Sequence, residues 1–143
     1  MGKLHIAGIA IGLISLLVLA GCGPSFSSNG QRIYFTAKSA SGQPITYSGG
    51  PGTMMSGRLT CVNCHGSEGH GGRVTLMMQS FDVPNIAWPE LTADDPSYTE
   101  ETLKRAITQG LDPDGDPLKY PMPRWQISDP DLNDLVGFIK TLK

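Results

Sequence analysis

Cys61-Val62-Asn63-Cys64-His65 is the stretch that most constrains what this chain can become. Residues three and four apart on a helical turn share a face, so Cys61, Cys64 and His65 can all turn toward one flat ligand. Two thiols at that spacing can add to the two vinyl groups of a porphyrin, and the imidazole that follows directly can reach its iron. A bare C-x-x-C also marks thioredoxin-like redox pairs, but those sit in a βαβ context, and no such pattern is visible here. Zinc would need four ligands, from a second C-x-x-C or from H-x(3-5)-H. His65 and His70 have about that last spacing, yet they begin right after Cys64 and leave no finger between the two ligand pairs. The motif is therefore read as the covalent attachment site of one haem c, with His65 as its proximal metal ligand.

The chain has 143 residues, a formal charge of −2 and three cysteines, of which the motif uses two. Cys22 is left over, and an odd cysteine in an exported chain needs an explanation. Lys3 gives a positive start, residues 6–20 form an almost unbroken apolar run, and the small residues Ala20 and Gly21 follow. This is the pattern of an export signal over residues 1–21. Leu19-Ala20-Gly21-Cys22 resembles a bacterial lipobox, which implies that Cys22 is acylated and becomes the first residue after cleavage. An uncleaved anchor would need about 20 apolar residues, more than this run supplies. Two or more acyl chains on one cysteine anchor a protein stably. The expected product is an exported bacterial lipoprotein held to a lipid bilayer, facing periplasm or cell exterior, with residues 22–28 as lipidated N-terminus and tether. Without residues 1–21, ten basic and thirteen acidic residues remain. No basic stripe is present to neutralise phosphates, which excludes nucleic acid as a partner, and the acidic balance suits docking to a basic patch.

From residue 29 onward the pattern is helical. Asn29 is expected to cap a first helix over residues 30–38, with Ile33, Tyr34 and Ala37 on one face. Residues 39–57 are rich in Gly, Ser and Pro, and form a loop or a short hairpin around residues 44–47. Gly66, Gly69, Gly71 and Gly72 let the chain run close to a flat cofactor. Residues 81–91, with Pro84 and Pro89, are expected to be irregular. Thr99 caps a clear helix with Leu103, Ala106 and Ile107 as its stripe and Gly110 at its end. Asp112, Asp114 and Asp116 lie in a turn cluster that does not fit an EF-hand, so a plain acidic turn is expected. Ser128 and Asp131 start a last helix, with Leu132, Leu135, Val136, Ile139 and Leu142 at helical spacing. Gly30 would let this helix cross the first one closely, with Phe138 or Leu135 against it. The fold class expected is all-α, with helices wrapped round one haem.

A haem iron held by His65 has one position left, and its occupant decides the chemistry. Tyr120-Pro121-Met122-Pro123-Arg124-Trp125 holds a thioether between two prolines that stiffen the loop. Met54 and Met55 lie in the loop before the motif, and Met77 and Met78 are expected as core fillers. Met122 alone is well downstream of the motif and just before the last helix, so it is the candidate second metal ligand. Arg73, Arg124 and Trp125 are candidate donors to a haem propionate, while His70 is a loop histidine.

C-x-x-C-H near the front, a Pro-flanked Met 57 residues after His65 and a capped last helix resemble a class I monohaem cytochrome c over residues 29–143. The resemblance implies a small helical fold around one covalently bound haem. It implies that the carbonyl of a loop proline, matched here by Pro84, accepts a hydrogen bond from the proximal imidazole. The segment at about residues 39–57 departs from the family as an insertion. The function implied is electron transfer by a carrier, not an enzyme, with membrane-associated redox proteins as donor and acceptor. The alternative is a haem c subunit of a membrane-bound oxidoreductase complex, with the insertion as its docking surface. A third possibility, a ligand-binding sensor or peroxidase-like enzyme, requires an open sixth position.

Overall fold

The computed structural model describes residues 24–51, 59–76, 78–93 and 95–143. The export segment, Cys22, Met54, Met55 and Met77 lie outside them. The described elements run α1 (Asn29–Thr36), β1 (Thr46–Ser48), α2 (Cys61–His65), β2 (Gly72–Leu76), β3 (Gln79–Val83), α3 (Trp88–Leu91), α4 (Glu100–Gln109), β4 (Arg124–Gln126) and α5 (Asp129–Ile139). No helix among the described residues is long and apolar enough to cross a membrane.

The scaffold is the crossing of α1 and α5. Ser28, not Asn29, caps α1, its hydroxyl accepting from the Gln31 amide at 3.1 Å. Asn29 Oδ1, which a cap would need, accepts from the Ala40 amide at 2.8 Å, and its Nδ2 donates to Asp131 and Asp134, each at 2.8 Å. The helix stops at Thr36, two residues earlier than expected, because Ala37 takes a left-handed conformation at φ 49°. Ile33, Tyr34 and Ala37 are buried, as are Leu132, Leu135, Val136, Ile139 and Leu142. Burying each Leu, Ile or Val among them stabilises the fold by about 1.5–3 kcal/mol. Gly30 makes the close crossing possible: a Cβ there would lie 1.9 Å from the Asp134 carbonyl oxygen and 2.9 Å from the Phe138 Cβ. Met78, expected in the core, is instead 98 % exposed.

Helices carry the core, but the chain is not purely helical. Among the described residues two antiparallel two-stranded sheets accompany them, β1 with β4 and β2 with β3. Residues 44–47 do not fold into a hairpin of their own; β1 pairs with β4, Tyr47 opposite Trp125. Residues 81–91 are more regular than their prolines suggest. Strand β3 ends before Pro84, and Pro89 sits in the first turn of α3, where a missing N–H leaves no helical bond unmade.

Asp131 locks the two ends of the domain together. Its carboxylate, 3 % exposed as a residue, accepts from Asn29 Nδ2 at 2.8 Å, Ser39 Oγ at 2.6 Å and Ser128 Oγ at 2.9 Å. Burial works against the charged form, but the hydrogen bonds from Ser39, Asn29 and Ser128 outweigh it and hold the pKa below the ordinary carboxylate value. A carboxyl depressed on folding contributes stability above its unfolded pKa and loses it as pH falls through the folded one. Asp131→Ala, which strands three donors, is expected to cost about 1–3 kcal/mol in urea melts at pH 7. The gap between parent and variant should narrow below about pH 4; a gap that stays constant into acid would show that the ionised carboxylate is not its source.

Candidate functional site

The proximal side is built on α2. The Thr60 amide and hydroxyl both donate to Asn63 Oδ1, at 2.9 and 2.7 Å, which fixes the start of this five-residue helix. Its end is held by the Gly71 amide, which donates to the His65 carbonyl at 2.9 Å. The β2–β3 hairpin then doubles back with Gly72 opposite Val83, so Pro84 returns to the point the chain left. There the Pro84 carbonyl lies 3.2 Å from His65 Nδ1. A carbonyl can only accept, so Nδ1 carries the proton and Nε2 keeps its lone pair for a metal. Burial pushes the His65 pKa down and the Pro84 bond only partly offsets it, which keeps the ring neutral, as ligation requires. Tyr34 of α1 donates to the Gly66 carbonyl at 2.6 Å, tying the scaffold helix to the residue after His65.

The glycines of this stretch serve the backbone. A Cβ on Gly71 would come within 2.3 Å of the Val83 carbonyl oxygen, and one on Gly69 within 2.9 Å of Leu142 Cδ1. Gly66 and Gly72, by contrast, have nothing within 4 Å of such a Cβ, and both take positive φ.

Cys61 and Cys64 are free thiols. Burial pushes the Cys61 pKa up to about 12, and raises that of Cys64 as well. Both, with His65, line a cavity of about 590 Å³ whose wall includes Leu59, Ile86, Leu91, Leu103, Ile107 and Leu135. That volume lies within the roughly 300–1,000 Å³ of cofactor and small-ligand sites. Met122, Pro84 and Trp125 line the same cavity. Met122 sits in a turn whose amide donates to the Lys119 carbonyl at 3.3 Å, and its own carbonyl accepts from Arg124 Nη1 at 2.9 Å.

Other residues singled out in the sequence go elsewhere. Arg73 does not reach the cavity: it stands opposite Asp82 across the hairpin, and its Nε donates to that carboxylate at 3.2 Å in the open. The Arg124 guanidinium is engaged by the Met122 carbonyl and packs over Gly110. His70 Nε2 donates to the main-chain oxygen of Lys143 at 2.8 Å, and His70 is not among the residues that line the cavity. Tyr98 is a wall residue that sequence reasoning missed; burial raises its pKa, with the Asp112 carboxylate adding to the effect. Its only signal was a position just ahead of the Thr99 cap.

Two free thiols, a neutral imidazole with one nitrogen committed, and a thioether on one apolar cavity form the donor set that a c-type haem takes. Comparison with curated proteins gave no match, and comparison with solved structures gave none. The family model for Cytochrome c matches residues 27–143, which is most of the chain and includes every element described above. The chain therefore belongs to the cytochrome c family, which binds covalently attached haem c and uses it for electron transfer.

Proposed function

We propose that this chain is a membrane-anchored class I monohaem electron carrier, its haem attached through Cys61 and Cys64 and its iron held by His65 and Met122. The observation that carries the reading is that Cys61, Cys64 and His65 of one helical turn and Met122, 57 residues after His65, line one cavity. When bound, the haem supplies a one-electron Fe(III)/Fe(II) couple. The protein's part is to hold that centre in one geometry. Pro84 fixes the imidazole, the aliphatic wall excludes water, and the Met122 thioether favours the ferrous state while closing the iron to small molecules. Leu19-Ala20-Gly21-Cys22 supports acylation and export, placing the domain beside membrane-associated redox proteins outside the cytoplasm.

An anaerobic redox titration of the haem-loaded protein, followed by visible absorption, is expected to show one reversible one-electron step. Carbon monoxide added to the reduced protein should bind slowly or not at all. Rapid, stoichiometric binding would instead mark an open iron and favour a sensor or peroxidase-like role.

A further inference from the structure

We infer that residues 45–51 act as a splint on the Met122 loop, with Tyr47 and Gly50 as positioning residues for its sulfur. The inference rests on Met122 being an iron ligand. A ligand carried on a loop stays in place only if closed conformations of that loop are well populated. The Met122 segment has no helix of its own to supply that; beyond the two local bonds to Lys119 and Arg124, its bracing comes from outside.

Gly50 provides the closest contact. A Cβ on it would lie 2.8 Å from the Pro121 carbonyl oxygen and 3.2 Å from the Pro123 Cβ, the two residues that flank Met122. Its φ of +70° adds a second reason for glycine. Strand β1 then holds the chain just beyond: Ser48 stands opposite Arg124 and Tyr47 opposite Trp125, with those two rings 5.1 Å apart. Thr46 Oγ1 donates to Gln126 Oε1 at 2.7 Å, closing the far end of the pairing. Ile45 and Pro51 are buried, so both ends of the splint are seated in the protein. On the other side of Met122, the Tyr120 ring packs edge-on against Phe81 of β3 at 5.5 Å. The loop is thus clamped at Tyr120 and Trp125, with Gly50 pressed between. The segment that departs from the family pattern is in this part an internal brace on the ligand loop.

The test uses the full-length, haem-loaded protein and four variants: Gly50→Ala, Tyr47→Leu, Met122→Ala and Gly42→Ala. Gly42 shares the positive φ, at +78°, but has nothing within 4 Å, so it reports backbone strain without contact. Gly50→Ala and Tyr47→Leu are expected to bind carbon monoxide about tenfold faster in the ferrous state, a factor that corresponds to about 1.4 kcal/mol between closed and open loop. They should also weaken the thioether-to-iron charge-transfer band and lower the potential part of the way toward Met122→Ala, while helical circular dichroism and Gly42→Ala stay at the parent's values. If neither variant moves these readouts while Met122→Ala moves all three, the splint is refuted and the ligand reading stands. If Met122→Ala moves none, the ligand reading fails and the splint falls with it.

Discussion

Met122→Ala is expected to lower the midpoint potential of the haem-loaded protein by on the order of 0.1 V or more, within the roughly 0.8 V over which axial ligands tune haem. A thioether is a soft ligand that favours ferrous iron, so losing it stabilises the ferric form. The same change should let carbon monoxide bind rapidly. Met122 also packs against the hydrophobic core, so truncation costs stability, and a potential shift alone would not separate ligation from packing. Met122→Leu separates them. It keeps the volume, with a stability cost under about 1.5 kcal/mol, but has no sulfur. Equal falls in potential for Ala and Leu would assign the effect to the lost sulfur, whereas an unchanged Leu variant would sink the ligand assignment.

Two glycines in the scaffold helices should respond in opposite directions to the same added methyl. Gly30→Ala forces a Cβ to within 1.9 Å of the Asp134 carbonyl oxygen, a main-chain atom that cannot swing aside. The helices must separate, and the expected loss is at the upper end of about 1–3 kcal/mol or beyond it. Gly137→Ala in α5 meets nothing within 4 Å. There the helix simply gains an alanine, and stability should rise by about 0.5–1 kcal/mol. Urea melts at fixed pH measure both. A Gly30→Ala variant as stable as the parent would mean that the helices do not cross where the structure places them.

What could be seen in the sequence was what local chemistry controls. The C-x-x-C-H turn, the Thr99 and Ser128 caps and the stripes of α4 and α5 are each decided locally and lie where expected, except that α5 ends at Ile139 and Leu142 is buried just beyond it. The strands were not visible, for a physical reason. β1 and β4 are three residues each and meet only after 75 intervening residues, so no periodicity could announce them. The β2–β3 hairpin has a near-alternating pattern, but Gly72 at its start and Arg73 beside it fit a cofactor contact and a propionate donor equally well in sequence. Arg73 has a nearer carboxylate, directly across the ladder at Asp82, and a cross-strand partner in register wins over a distant one. The same holds for Asn29: its Oδ1, the atom a cap would use, accepts from the Ala40 amide at 2.8 Å, while its Nδ2 donates to Asp131 on the last helix.

Tyr34 has a consequence that reaches past packing. Its ring is fully buried between the two terminal helices, near the Phe138 ring at 5.3 Å, while its hydroxyl holds the residue that follows the imidazole. One side chain thus joins the domain's outer seam to the proximal pole of its redox centre. Heat or denaturant that parts the seam must slacken the imidazole at the same moment, so unfolding seen in the Soret band and unfolding seen in the peptide signal should trace a single curve.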